Sequence, residues 1–376
     1  MIYKHDNNVS VNGRIKEMKF LNCSLSEVND KFKGKRIAFF GAGSWLNAVE
    51  DTELMLLKDK FAYILDNSQE GTVRLGDIEL DIKKPECVLV DKDIVIIITS
   101  AQYMYDMYMQ LLSMNLSDEY SCYALPFIQR VSNKESDGNI QYRDLIPDRI
   151  PKVIHSFWFS GEEKPTEYQE CIDSWRKVLP EYEIIEWNMD NYDWKKHPFV
   201  QRAIDLKAWA FAADFARLDV VYEYGGIYLD MDVEVVKPFD DLLGNDALLA
   251  FSNNIWIDLA VFGASKGNEL INSLRDLYNG VELPETKKGF FKKYYQLAFV
   301  RKTLTSYGIK MNGSLQKNKY ATAFPKSFFI VEDYLLRDPY KIEESTYCIH
   351  HANCGWNPEI NELVEKRRLL WEIVEK

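Results

Sequence analysis

Long hydrophobic runs are missing from this chain. The longest compact one, Ile94 to Ile98, is far too short to span a bilayer, so any membrane contact is expected to be peripheral. The opening stretch MIYKHDNNVSVNGR is polar and has no apolar core, so no secretory signal is expected. Paired cysteines are missing too. Cys23, Cys87, Cys122, Cys171, Cys348 and Cys354 are scattered with no CxxC, which weakens both a disulfide framework and a zinc site and favours reduced thiols in a cytosolic protein. Basic charge is in deficit: 46 Lys and Arg against 58 Asp and Glu leave a net charge of -12, which argues against nucleic acid as the partner. There are only five histidines, and two of them are adjacent at His350-His351. Internal repeats and low-complexity tracts are absent as well.

What remains is a chain of 376 residues, 47% hydrophobic and 14% aromatic, enough for two domains or one large one with a sizeable core. Residues 1–32 read as an accessory segment with one short helix. From Lys35 the pattern alternates: a buried strand at Arg36 to Phe40, a GAGS turn, a helix over Trp45 to Lys58, strands at Phe61 to Leu65 and Asp93 to Thr99, and a helix from Ala101 to Met114. Such alternation predicts parallel strands with helical crossovers over 33–130. The polar stretch 131–149 reads as a linker. A second α/β unit, 150–360, opens with a strand at Lys152 to Phe157 and a helix over Pro165 to Val178. A strand at Tyr182 to Trp187 and a long helix from Ala208 to Tyr224 follow, and Gly225-Gly226 stops that helix. Residues 361–376 read as a charged amphipathic helix.

The most informative stretch follows the glycine pair: IYLDMDVE, in which Asp230, Asp232 and Glu234 alternate with apolar residues. On a strand, side chains two apart share a face, so Asp230 and Asp232 are expected to converge as a hard oxygen site for a divalent cation. A solvated edge strand has the same pattern. On the preceding helix, Asp214 and Arg217 are three apart and share a face, among the small residues Ala210, Ala212 and Ala213. They are either a surface ion pair or a carboxylate and guanidinium that bind sugar and phosphate oxygens. Upstream, IPKVIHSFWFSG places Trp158 at the carboxyl end of a strand, as a core residue or as a face for a base to stack on. Downstream, TYCIHHANCGW carries the two histidines. Adjacent residues on a strand face opposite ways, so one of the pair at most points into a given site. An imidazole there would favour manganese over magnesium.

Three ordered blocks, IPKVIHSFWFSG, AADFARLDVVYEYGGIYLDMDVEVVKPFD and IHHANCGW, give residues 150–358 a resemblance to the DXD-containing glycosyltransferase sugar-binding family. That family includes Golgi mannosyltransferases and bacterial capsule and surface-polysaccharide enzymes, and is distantly similar to the large glucosylating toxins. The resemblance implies an α/β chain with a GT-A-type nucleotide-diphospho-sugar transferase domain after a Rossmann-like module. It implies retention of anomeric configuration, Mn2+ or Mg2+ as cofactor, a nucleotide-sugar donor with UDP-sugars favoured, and a glycan or lipid-linked glycan acceptor. By position, Trp158 would stack on the base, and Asp214 and Arg217 would hold the donor sugar. Tyr228 and Asp230 would line the ribose and metal region. Asp232 would be the principal metal ligand, His351 would complete the metal site, and Trp356 would cover the diphosphate. Asp258 sits where related enzymes place a polar residue near the sugar. Two positions depart from the pattern: Ala213 stands where many members have Ser, and Cys354-Gly355-Trp356 replaces the usual small-Ser-Trp ending.

The first α/β unit carries IAFFGAGSW with Asp66 after the second strand, as in a nucleotide-binding unit, but Leu46 occupies the third glycine position. That unit is read as a scaffold or as a nucleotide site. A nucleotide-binding regulatory protein with an inactive transferase-like domain is the alternative to an enzyme. A glycoside hydrolase is disfavoured, because Asp230 and Asp232 lie too close together in sequence to flank a scissile bond. The terminal helix, with Lys366, Arg367 and Arg368 beside Leu369, Leu370 and Trp371, would either pack on its own protein or dock at an anionic membrane. The expected location is the cytoplasm, with peripheral contact at the inner face of the plasma membrane as its extension.

Overall fold

The computed structural model describes residues 18–135, 142, 147–253, 256–293, 296–331, 336, 341–352 and 360–375. Trp356 lies outside them. Among the described residues the chain forms two seven-stranded sheets and one three-stranded sheet.

The first sheet is built from β1 (Lys19–Phe20), α1 (Val28–Lys31), β2 (Arg36–Phe40), α2 (Ser44–Asn47), β3 (Phe61–Leu65), β4 (Gly71–Leu75), β5 (Ile78–Lys83), β6 (Ile94–Ile98), α3 (Met104–Ser113), β7 (Ser121–Ala124) and α4 (Leu125–Glu135). Its strand order is β1-β7-β6-β2-β3-β5-β4. All pairs are parallel except the β4–β5 hairpin. Strands covered on both faces read as continuous apolar runs, and Ile37 to Phe40 and Ile94 to Ile98 are buried throughout.

Three features differ from the sequence-based expectation. The single helix over 45–58 is instead α2 followed by two 3-10 segments. Thr52 breaks it: its backbone is extended and its hydroxyl accepts the Leu54 N–H. Residues 19–32 are not an appendage. β1 pairs with β7, and Phe20, Val28 and Phe32 are buried in the core. α4 runs on to Glu135, past the start of the stretch read as a linker, and Ser132 there accepts the Leu25 N–H.

The second unit contains β8 (Val153–Phe157), α5 (Thr166–Val178), β9 (Glu183–Trp187), α6 (Pro198–Asp205), α7 (Trp209–Tyr224), β10 (Gly226–Leu229), β11 (Val233–Val235), β12 (Ala247–Asn253) and β13 (Trp256–Ala264). It continues through α8 (Glu269–Asp276), α9 (Lys287–Lys293), α10 (Gln296–Ser306), β14 (Gln316–Lys317), β15 (Thr322–Phe324), β16 (Phe329–Val331) and β17 (Cys348–His350), and α11 (Ile360–Glu375) follows. Its large sheet has the order β14-β15-β12-β13-β10-β8-β9, and a small sheet β11-β17-β16 stands beside it. β8 is parallel to both β9 and β10, whereas β10 and β12 are antiparallel to β13. The chain is therefore α/β, consistent with a GT-A-type domain after a Rossmann-like one.

α7 ends at Gly225, where φ is +71°. Gly226 has φ +111°, and a Cβ there would lie 2.6 Å from the Val153 carbonyl oxygen. Only glycine lets β10 leave the helix and lie against β8 at this distance. His155 fixes the same corner. Its Nδ1 accepts the Trp187 indole N–H at 3.1 Å, so its Nε2–H donates to the Gly225 carbonyl at 2.8 Å.

α11 folds back onto the first unit. Leu370 is buried there, and Trp371 meets Phe127 edge-on at 4.8 Å. Arg367 donates to the Ala101 carbonyl and Arg368 to the Leu336 carbonyl. The basic residues of the terminal helix are thus engaged within the protein. No helix among the described residues is long and apolar enough to cross a membrane.

Candidate active site

β10 stops at Leu229, one residue short of the acidic pair. Asp230, Met231 and Asp232 form a turn, closed by the Val233 N–H donating to the Asp230 carbonyl at 3.1 Å, and β11 then joins the small sheet. The two carboxylates therefore converge through a turn and not through the pleat of one strand. The turn is pinned from several sides. The Asp230 N–H donates to the Ala260 carbonyl at 2.9 Å, and the His351 N–H donates to the Asp232 carbonyl at 3.0 Å. Ser156 Oγ donates to the Leu229 carbonyl at 2.7 Å, and Trp175 Nε1 donates to the Val233 carbonyl at 2.6 Å. Ser156, Trp175 and His155 carry no local sequence signal, because their partners lie about 60 to 70 positions away along the chain.

Asp230, Asp232 and His350 each present a ligand atom, and these atoms all lie within 4.8 Å of one another. His350 Nε2 is 3.3 Å from Asp232, and its Nδ1 is 3.3 Å from Asp258. The expectation named His351 as the third ligand. The structure instead turns His351 to Glu234 at 3.3 Å. The reason is register: β17 ends at His350, paired with Val233, and adjacent side chains point to opposite faces. Two carboxylates and an imidazole suit a divalent cation, and the mutual distances are short enough for one ion to bridge.

The helix pair joins this cluster. Arg217 Nη2 donates to Asp214 at 2.8 Å, Nη1 donates to the Leu259 carbonyl at 3.0 Å, and the guanidinium lies 3.5 Å from Asp230. Asp214 and Arg217 are nearly buried, which rules out a solvated surface pair. Tyr228 is 1% exposed, lies under the Arg217 guanidinium and donates its hydroxyl to Asp230 at 2.6 Å. It is a support for Asp230, without the open ribose-facing position expected of it. Asp258 accepts the Ala260 N–H at 3.0 Å. Trp158 stands just past β8, at the same sheet edge as Asp230 because β8 and β10 run parallel in register. It is half-buried, and its indole N–H donates to the Glu162 carbonyl at 2.7 Å.

Four carboxylates (Asp214, Asp230, Asp232 and Asp258) thus face Arg217 and His350. Burial pushes Asp214 up to about 7, against the pull of Arg217. Asp230 is also raised by burial, despite Arg217. For Asp258, burial is outweighed by His350, the Ala260 N–H and Arg217, which hold it below the usual carboxylate range. For His350, burial opposes the charge, but Asp232 and Asp258 raise it well above the ordinary imidazole value. The excess of negative charge in a partly buried site is what a dication would relieve.

In this α/β unit a parallel strand thus delivers a DXD turn beside a buried Asp–Arg pair. Residues 165–249 match the glycosyltransferase sugar-binding region containing a DXD motif. The match runs from the start of α5 into β12, and includes Asp214, Arg217, Asp230 and Asp232 but not Trp158, Asp258 or His350. The chain is 33% identical over 136 residues to inositol phosphoceramide mannosyltransferase 3 of Schizosaccharomyces pombe, covering 34% of this chain and 37% of that protein. It is 26% identical over 226 residues to inositol phosphoceramide mannosyltransferase 2 of the same yeast, covering 55% and 58%. An uncharacterized glycosyltransferase of Acanthamoeba polyphaga mimivirus is 34% identical over 101 residues, 25% and 40% of the two chains. The matches to the first relatives span about a third of those proteins' own length. Among solved structures, the PaToxG glycosyltransferase superposes with a TM-score of 0.34 at 19% identity, over 43% of this chain and 71% of that one.

Proposed function

We propose that this protein is a metal-dependent, retaining glycosyltransferase that moves a sugar from a nucleotide-diphosphate donor to a glycan or lipid-linked glycan. The observation that carries this reading is the convergence of Asp230, Asp232 and His350 within 4.8 Å, beside the Arg217–Asp214 pair. Asp230, Asp232 and His350 would hold the cation, with Mn2+ favoured by the nitrogen donor. The cation would supply neutralisation of the charge that develops on the departing diphosphate.

The protein's own residues do the rest. Arg217 adds fixed positive charge beside the diphosphate, where the low-dielectric surroundings strengthen it. Asp214 and Asp258 accept hydrogen bonds from donor sugar hydroxyls and orient the ring. Trp158 offers an indole face for the base at the sheet edge. The acceptor oxygen bonds to the anomeric carbon on the face from which the diphosphate oxygen leaves. The bond to that oxygen breaks, and the acceptor proton passes to a donor phosphate oxygen.

UDP-sugars are the first donors to try. The acceptor is proposed to be lipid-linked, a reading supported by the names of the yeast relatives. The further placement in bacterial surface or capsular polysaccharide synthesis, at the inner face of the plasma membrane, draws on the family resemblance. A panel of nucleotide sugars with Mn2+, scored for released nucleoside diphosphate, tests the reading. One donor should be hydrolysed slowly and only with metal. Release that is indifferent to metal, or absent with every donor while Mn2+ binds, contradicts it.

A further inference from the structure

Where the first unit's topology would place a nucleotide, several polar groups are already engaged by the protein itself. In a parallel sheet, ligands settle beyond the carboxyl ends of the strands where strand order reverses, here at β2 and β6. At that point the Asp66 carboxylate already accepts the N–H groups of Ala42, Ser68 and Gln69 and the Ser68 hydroxyl. A Cβ on Gly41 would meet the Thr99 carbonyl oxygen at 3.2 Å and Met107 Cε at 3.3 Å. The Ala101 carbonyl, just past β6, is taken by the buried Arg367 of α11.

The same unit touches the second one next to the site. Trp45, in α2, meets Trp256 at 6.0 Å and 74°, edge to face, and Ala48 and Trp256 are buried together. The Arg301 guanidinium of α10 lies 5.5 Å from the centre of the Trp256 ring. Trp256 opens β13, and Asp258, two residues on, lies 3.3 Å from His350. The β12–β13 ladder is irregular at this end, with register shifts between Leu248 and Ala250 and between Phe251 and Asn253. Asp258 pairs with Ala250 between the two shifts, and such irregularities bend and twist a strand end, so what packs against that end bears on where it lies. Asp258 therefore stands on a strand whose first residue packs against that unit.

We infer that the first α/β unit is a buttress of the donor site, and that Trp45 and Trp256 are positioning residues that set Asp258 against His350. The inference rests on the reading of Asp230, Asp232, Asp258 and His350 as the donor and metal site. The full-length protein carrying Trp45→Leu, which stays apolar but loses the ring contact, is the test, with Trp45→Phe as the conservative partner. Mn2+ affinity is measured by calorimetry, and donor KM and kcat are measured at saturating Mn2+. Trp45→Leu is expected to weaken Mn2+ binding by about tenfold and to raise donor KM, with unchanged far-UV circular dichroism, and Trp45→Phe to recover most of both. Wild-type Mn2+ affinity and donor KM in folded Trp45→Leu overturn the inference. Should that variant not fold, Trp45→Met takes its place, and wild-type Mn2+ affinity and donor KM in folded Trp45→Met overturn the inference. Failure of the unsubstituted protein to bind Mn2+ contradicts the donor-site reading itself, and the buttress role with it.

Discussion

His350, and not its neighbour His351, stands 3.3 Å from the Asp232 carboxylate. Register along β17 makes this choice: His350 pairs with Val233, next to the acidic turn. His350→Ala is therefore expected to weaken Mn2+ binding by more than about tenfold, whereas His351→Ala, which removes only a contact to Glu234, should leave it within about twofold. Metal titration by calorimetry or by the electron paramagnetic resonance of free Mn2+ separates the two.

The raised carboxyl of Asp214 gives a pH signature. Burial places it at about 7, so it gains a proton as pH falls through that value and ceases to be a charged acceptor for sugar hydroxyls. The kcat/KM profile should carry an acid limb above the usual carboxylate range, and Asp214→Asn should be slow and flat across it. Stability runs the other way. A carboxyl whose folded value lies above its unfolded value contributes stability below the unfolded value and loses it as pH rises through the folded one. The melting-temperature difference between Asp214→Asn and the unsubstituted protein should therefore shift in the variant's favour as pH rises from 5 to 8, on top of the constant cost of leaving Arg217 without its charged partner. Thermal melts at the two pH values check this.

Trp175 holds the carbonyl that follows the DMD turn, through its indole N–H at 2.6 Å, and its side chain is 1% exposed. Trp175→Phe keeps the packing and leaves the Val233 carbonyl unpaired. A loss of about 1–2 kcal/mol in denaturant unfolding is expected, together with weaker Mn2+ binding because the turn is less well held.

Gly226 is the tightest point between helix and acidic turn. Alanine there would combine a left-handed backbone with a 2.6 Å approach to the Val153 carbonyl. Gly226→Ala is expected to cost about 3–5 kcal/mol, the sum of backbone strain and overpacking. Urea unfolding of soluble protein measures it.

Much of this fold could be read from the chain. The runs Ile37 to Phe40 and Ile94 to Ile98 are strands buried on both faces, and a fully apolar run admits few other readings. The long helix ending at Gly225 was legible because glycine stops helices in a left-handed conformation. The convergence of Asp230 and Asp232 was legible, but its cause was not. A DxD on a strand and a DxD in a turn have the same sequence, and only the Val233 N–H to Asp230 carbonyl bond distinguishes them. The choice between His350 and His351 was hidden for a related reason: register depends on the partner strand, β11, and not on the histidines. The β4–β5 hairpin and the 3-10 segments after α2 escaped because their patterns are short and mixed. The docking of Trp45 on Trp256 escaped because nothing local in either segment refers to the other.

Under the proposed function, Asp232 would hold the catalytic metal at the DMD turn. The most direct test is the rate of Mn2+-dependent nucleoside diphosphate release from the preferred donor by Asp232→Asn, a substitution of nearly equal shape that removes the charge. A fall of at least about a hundredfold with the fold intact is expected. Near-normal release by folded Asp232→Asn would contradict it.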